Sequence, residues 1–286
     1  MILTFDIGGT RIKAAIANLP SVMPLGETAT PTESLPDFIE ALRRFVRPGI
    51  RGITLSIAGV VDSETGLINV ANIRCLNGRP LARDLEQAFG LPVLVLNDAD
   101  CFALAEAKAG AGRGHDNILA IILGTGVGGG LILNGRLVQG TGGYAGEWGH
   151  GPVIRDPALL CGCGQVGCLD TVGGARGMEK LHFSRTGEIL MVEDILHRWR
   201  AGNGTTVDLW LELVSGVLAM VINTVGASIV PVGGGLGNDH GLVAALDAAV
   251  RARILRRTDA PLVVPAQVST DAGLVGAAAA GEAAVG

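Results

Sequence analysis

Residues 96–107, LNDADCFALAEA, and 121–135, IILGTGVGGGLILNG, decide how this chain folds. An apolar run, Val93 to Leu96, delivers Asn97 and Asp98 to the start of a helical stretch from Ala99 to Ala109. A buried strand that empties into a helix leaves its last residues at the C-terminal edge of a sheet, where ligands of open α/β sheets gather. By position Asp98 reads as a helix N-cap. What recommends it as a catalytic carboxylate is the next strand, Asn117 to Leu123, which runs into Gly124-Thr125-Gly126, then Gly128 to Gly130, then a further strand from Leu131 to Leu133. Such a turn lets phosphate oxygens approach the backbone closely. Residues 142–150, GGYAGEWGH, close the segment with two more polar side chains, Glu147 and His150.

Outward toward the N-terminus, Ile2 to Ile16 shows the same pattern: strand, Gly8-Gly9-Thr10 turn, strand. It is neither the strand–glycine–helix of a dinucleotide fold nor a G-x-x-x-x-G-K-[ST] loop. It is a β-hairpin, read either as an ordinary turn or as a phosphate receiver. Asp6 stands where a carboxylate can hold Mg²⁺ through water, and Lys13 is a phosphate contact or a surface charge. Two like hairpins, each opening an α/β unit, suggest an internal duplication with a cleft between halves. The plainer alternative is two unrelated glycine turns.

Helical spacing follows at Ser34–Val46 and Arg79–Phe89, with a buried strand at Ile53–Ala58 between them. Beyond the central segment, Glu179–Trp199 reads as helix broken at Gly187, and Val207–Ala227 as a long buried helix leading to a strand at Ser228–Val232. Gly233-Gly234-Gly235-Leu236 ends that strand, and a flat adenine or ribose can lie against such a backbone. Leu242–Leu255 is a helix, Leu262–Val264 a strand, and Asp271–Ala284 an Ala-rich last helix. Alternating strands and helices predict an α/β fold with a partly parallel sheet. The lobe boundary is expected near Gly110 to Asn117. That divides the chain into a small lobe of 1–115 plus 271–286 and a large lobe of 116–270.

With 286 residues the chain can build two modest cores. Its net charge of −5 argues against nucleic acid as a partner, and its few aromatics against a stacking platform. MILTFDIGGT opens directly on a strand with no basic leader, which predicts a cytoplasmic protein. Leu213 to Asn238 is uncharged, but Asn223, Gly226, Pro231 and three glycines interrupt it, so a core helix and a strand explain it better than a membrane span. His150, Cys161, Cys163 and Cys168 form H-x10-C-G-C-G-x2-G-C, one imidazole and three thiols suited to tetrahedral Zn²⁺. Four protein ligands close the shell, so the ion is expected to be structural. Free thiols or a redox pair is the competing reading. Cys75 and Cys101 read as core residues.

These pieces together resemble the ROK family of sugar kinases and repressors over nearly the whole chain. FDIGGTRIKAAI (5–16) resembles its first phosphate hairpin, LNDADCFALAEA its catalytic segment and ILGTGVGGG (122–130) its second phosphate turn. GEWGH with CGCGQVGCLD (161–170) resembles its zinc and sugar region, and VGGGLG (232–237) its adenosine loop. The Cys pattern coupled to E-x2-H is the specific part. The resemblance implies a two-lobed actin/hexokinase-like (ribonuclease H-like) ATPase fold with a structural zinc loop, and a homodimer. It implies that Gly59, Asn72, Asn97, Glu147, His150 and Asp170 hold a sugar, and that Asp98 is the general base. It further implies that Gly8 to Thr10, Lys13, Gly124 to Gly126 and Gly233 to Leu236 meet ATP and its Mg²⁺.

Within the family, ANIRCLNGRPLARDL (71–85) and the central segment look most like bacterial N-acetylglucosamine kinases, which implies ATP-dependent 6-phosphorylation of N-acetyl-D-glucosamine. N-acetylmannosamine kinase and glucokinase are the near alternatives. A sugar-responsive regulator is the alternative of another class, disfavoured because the first hairpin begins at residue 4. A non-catalytic zinc-binding sugar receptor would leave Asp98 idle. The chain departs from the family pattern with Asp170 where Glu is usual, Asp100 where Asn is frequent, and the bulky Trp148.

Overall fold

The computed structural model describes residues 1–268 and 270–285. The first half contains β1 (Ile2–Ile7), β2 (Arg11–Asn18), β3 (Ser21–Ala29), α1 (Leu35–Arg43), β4 (Gly52–Ile57), β5 (Val60–Val61), β6 (Ile68–Asn69), α2 (Leu81–Phe89) and β7 (Val93–Asn97). Helix α3 (Asp98–Ala109) leads to the second half: β8 (Ile118–Leu123), β9 (Val127–Leu133), β10 (Arg136–Val138), α4 (Asp170–Gly173), α5 (Ala175–Thr186), α6 (Val192–Arg200) and α7 (Thr205–Val225). After these come β11 (Val230–Gly233), α8 (His240–Arg251), β12 (Val263–Pro265) and α9 (Ala272–Val285).

The strands form two five-stranded sheets with orders β3-β2-β1-β4-β7 and β10-β9-β8-β11-β12. Each sheet opens with an antiparallel glycine hairpin and continues with parallel strands. The two orders are the same when read from each half's first strand, as an internal duplication requires. All six residues of β4 are buried, as expected of a parallel strand covered on both faces. β3 lies at a sheet edge with every residue partly or fully exposed, and it carries Pro24, which cannot donate to a ladder.

Local chemistry sets the helix limits. Ser34 caps α1 by accepting from Asp37 N–H at 3.3 Å, and Phe38, Ala41 and Leu42 point into the first core. Gly90 stops α2 in the left-handed conformation. The stretch read as one broken helix is two, α5 and α6, parted at Gly187. Helix α7 is long and apolar enough to cross a membrane. Here Val207, Trp210, Val214, Leu218 and Ile222, spaced as one helical face, are buried in the second core. Each fully buried large side chain of this kind contributes roughly 1.5–3 kcal/mol.

Helix α3 packs on β8 and β9, whereas α9 packs on β1 and β4. The two helices lie against each other where the halves meet, and a Cβ on Gly276 would overlap the Cys101 carbonyl.

Candidate active site

Parallel strands β1, β4 and β7 align their C-terminal ends: Asp6 is in register with Ser56, and Ile57 with Asn97. Asp98 follows as the first residue of α3. The cap of that helix is Asn97, not Asp98. Its Oδ1 accepts from Ala99 N–H at 2.7 Å and Asp100 N–H at 3.4 Å, and its Nδ2 donates to Gly59 O at 3.1 Å. Asn97 thereby spends most of its amide on the protein and ties β7 to the end of β4. Asp98 accepts the adjacent Ala99 N–H at 3.0 Å.

Asp98 lines two cavities at once. One, of about 520 Å³, also holds Asp6, Ser56, Phe102, Gly233, Gly234 and Gly273. The other, of about 290 Å³, holds Asn97, Gly124 to Gly129, Glu147 and Asp170. The second glycine turn and the predicted sugar carboxylates therefore share a cavity with Asp98. The Gly8–Thr10 turn lines neither cavity; Gly9 instead abuts Asn72, so close that a Cβ would stand 3.1 Å from the Asn72 Cβ. Lys13 Nζ donates to Thr270 O at 3.3 Å and lies 3.8 Å from Asp271.

Burial lifts the Asp98 carboxyl from its ordinary 3.8 to about 6, helped by the like charges of Asp6 and Glu147 and opposed by the Ala99 N–H. Asp100, facing away from solvent on the first turn of α3, is pushed to about 7 by burial and then by Asp98 and Glu147. Burial also raises Asp6, against the pull of the Ser56 hydroxyl and Lys13. That hydroxyl is buried and falls outside hydrogen-bond geometry with any described residue, so its effect on Asp6 is that of a nearby dipole.

Gly234 has φ +82°, and its Cα is so near β8 that a Cβ would lie 2.5 Å from the Leu123 carbonyl carbon. Gly235 and Leu236 line a further cavity of about 540 Å³ with Ala175, Val192 and Leu196, and Asn238 lines both this cavity and the 520 Å³ one. The glycine loop thus separates two spaces beside β11.

His150, Cys161, Cys163 and Cys168 converge, with one ligand atom from each inside 4.8 Å of the others. His150 Nδ1 is 3.6 Å from Cys161 Sγ, and Cys163 Sγ is 3.6 Å from Cys168 Sγ. Around a tetrahedral zinc, the N···S and S···S edges would be roughly 3.6 and 3.8 Å. The donor set therefore fits a metal ion of that size and geometry. The other imidazole nitrogen, Nε2, lies 3.6 Å from Glu147 Oε2, so one ring joins the cluster to the cavity wall. The loop that carries the thiols is closed by Cys161 N–H to Gln165 O and Gly167 N–H to Leu159 O, both at 2.8 Å.

Asp170 heads α4, and its Oδ1 accepts the Val127 N–H at 2.7 Å. Trp148 is buried and donates from Nε1 to Gly128 O at 2.9 Å, bracing the same hairpin. Three site neighbours escape a reading of the sequence alone. Ser56 had one signal, a polar residue inside an apolar run. Phe102, whose ring packs on Gly233, and Gly273, against Asp6, had none.

The ROK family model matches residues 2–283. N-acetyl-D-glucosamine kinase of Pasteurella multocida (strain Pm70) is 36% identical over 96% of this chain and 97% of its own length. The crystal structure of a ROK hexokinase from Thermus thermophilus is 30% identical and superposes with a TM-score of 0.86 over 100% of this chain and 99% of its own. A ROK family glucokinase from Streptomyces griseus, solved in complex with glucose and AMPPNP, is 30% identical with a TM-score of 0.74, covering 96% of this chain and 98% of its own. The chain has the α/β ROK sugar-kinase fold, and it belongs to the ROK family.

Proposed function

We propose that this protein is an ATP-dependent sugar kinase that transfers the γ-phosphoryl group to the 6-hydroxyl of N-acetyl-D-glucosamine. The observation that carries the reading is the place of Asp98, at the junction of the glycine-turn cavity and the Gly233–Gly234 cavity. The relatives named as N-acetyl-D-glucosamine kinases support the substrate. In this reading the lobes are 1–115 plus 271–286 and 116–270, of which Ser269 and Gly286 lie outside the described residues.

Asp98 accepts the proton of the attacking hydroxyl. A carboxyl raised to about 6 is ionised at neutral pH yet basic enough for this work. Gly59, Asn72, Asn97, Glu147, His150 and Asp170 orient the sugar. Because Asn97 is largely committed to the helix cap and Gly59, its part is to fix the loop on which the sugar rests. Gly8 to Thr10, Gly124 to Gly126 and Lys13 serve the phosphates, and Gly233 to Leu236 the adenosine. Mg²⁺ bound with ATP supplies charge neutralisation, and Asp6 is the residue to hold its hydration shell. The His150, Cys161, Cys163 and Cys168 set holds a structural Zn²⁺ with no open position. The enzyme works in the cytoplasm as a homodimer, with neither nucleic acid nor membrane as partner.

An ADP-release assay over N-acetylglucosamine, N-acetylmannosamine, N-acetylgalactosamine and glucose tests the substrate. The highest kcat/KM should fall to N-acetylglucosamine; preference for glucose or N-acetylmannosamine would replace it. Asp98→Asn should bind sugar normally and lose about 10²–10⁴ in kcat. Near-normal turnover in that variant would remove Asp98 as the base.

A further inference from the structure

Asp170, read above as a sugar contact, also holds the protein together. Oδ1 accepts the Val127 N–H at 2.7 Å, just after the Gly124-Thr125-Gly126 turn. Gly126 comes so near this oxygen that a Cβ there would overlap it. The rest of the segment holds the turn as well: Ala175 N–H donates to Gly124 O at 2.8 Å, and Gly174 packs on Thr125 O.

The same short helix is fastened to the metal cluster from two sides. Asp170 N–H donates to Gly149 O at 2.9 Å, next to His150. Thr171 donates to Cys168 O from its hydroxyl at 2.8 Å and from its N–H at 3.1 Å. Asp170 Oδ2 is 3.7 Å from Cys161 Sγ. Residues 168–175 thus join the metal-ligand loop to the glycine turn through hydrogen bonds and packed backbone contacts, beside the direct contacts that Trp148 and Gly149 make with the same hairpin.

We infer that Asp170 is a positioning residue that transmits the geometry of the metal loop to the second phosphate turn. The inference rests on the kinase reading only for its kinetic arm. An emptied cluster loosens α4, the Asp170–Val127 bond opens, and the turn at Gly124 to Gly126 loses its shape. Metal loss is therefore felt at the nucleotide phosphates as well as at the sugar. Asn at position 170 keeps an oxygen where Oδ1 stands, whereas Ala removes it.

The test compares metal-loaded wild type, Asp170→Asn and Asp170→Ala by hydrogen exchange of the peptide spanning 124–128, with melting temperature and metal content measured alongside. Exchange at Val127 should rise about tenfold or more in Asp170→Ala. It should stay near wild type in Asp170→Asn, and should rise again in wild type stripped with a chelator. KM for ATP should rise about tenfold in the Ala variant and be restored by Asn. Protection of Val127 retained in Asp170→Ala, or retained in stripped wild type, would overturn the inference. So would an equal rise of sugar KM in both variants with ATP KM unchanged. Should the Ala variant fail to fold, the chelator arm reads the same amide in wild type. A wild type inactive on every sugar, with the exchange pattern as stated, sinks the kinase reading and leaves the coupling standing.

Discussion

Asp100→Asn should make the protein more stable, and only above mildly acidic pH. Asp100 is 5% exposed and makes no ion pair among the described residues. Burial, then Asp98 and Glu147, raises it from 3.8 to about 7. The sign follows from which state holds the proton. Below 3.8 Asp100 is protonated both folded and unfolded and costs nothing. Between 3.8 and about 7 the unfolded chain releases its proton while the folded one keeps it, so stability falls with rising pH. Above about 7 the loss is complete. At about 1.4 kcal/mol per pH unit it amounts to roughly 4 kcal/mol. An amide has no charge to bury, but it brings its own desolvation cost of about 1–3 kcal/mol if left without partners. The expected net gain at pH 8 is therefore about 1–3 kcal/mol. Urea unfolding of both proteins at pH 5 and pH 8 measures it: the difference should be small at pH 5 and grow toward pH 8. A gain of equal size at both pH values, or a loss at pH 8, would refute the reasoning, since neither can arise from this proton.

Two further outcomes concern the carboxylates of the cleft. With Asp98 as the proposed base, needed ionised, and its carboxyl raised to about 6, kcat/KM should fall about tenfold per unit as pH drops below that value; a pH–rate profile whose acid limb lies near 4 would contradict the burial argument. In Gly273→Ala the new methyl would lie 2.9 Å from Ser56 Oγ and 2.6 Å from the Asp6 carboxyl carbon. Turnover should fall about a hundredfold through displacement of Asp6, with a stability loss of about 1–3 kcal/mol read by thermal melting; unchanged kinetics would show that Asp6 has room to move.

The glycine hairpins were legible because each joins a turn that needs glycine to apolar runs on either side. The convergence of His150, Cys161, Cys163 and Cys168 was legible because three thiols and an imidazole at that spacing have few uses other than holding a metal ion. Much else was decided by partners distant in the chain. β3 hides in SVMPLGETA, where Pro24, Gly26 and the exposure of an edge strand erase the alternating pattern. α4 is a single turn held by Gly149 and the Cys168 carbonyl, so no local period marks it. The cap of α3 fell one residue from the expected position because Asn97 and Asp98 are both good caps, and only the acceptance of the Ala99 and Asp100 N–H groups by Asn97 Oδ1 shows which one is used. Glu106 is fully buried, where its oxygens receive N–H groups from Ala111, Gln267 and Val268, the last two far along the chain. Its burial could not be anticipated from ALAEAKAG.

The meeting of α3 and α9 at Cys101 and Gly276 has a mechanical meaning. Helices normally settle at fixed crossing angles because ridges of side chains seat in grooves. At Gly276 there is no side chain to seat, and main chain rests on main chain. Such a contact brings the two helix axes closer than side chains would allow, while Cys101, Leu104, Ala277 and Ala280 pack around it. Asp98 stands at one end of the first helix, and Gly273, pressed on Asp6, near the end of the second. The spacing of these two helices therefore helps set the gap between the two acids. Any residue larger than glycine at 276 would force the two helices apart.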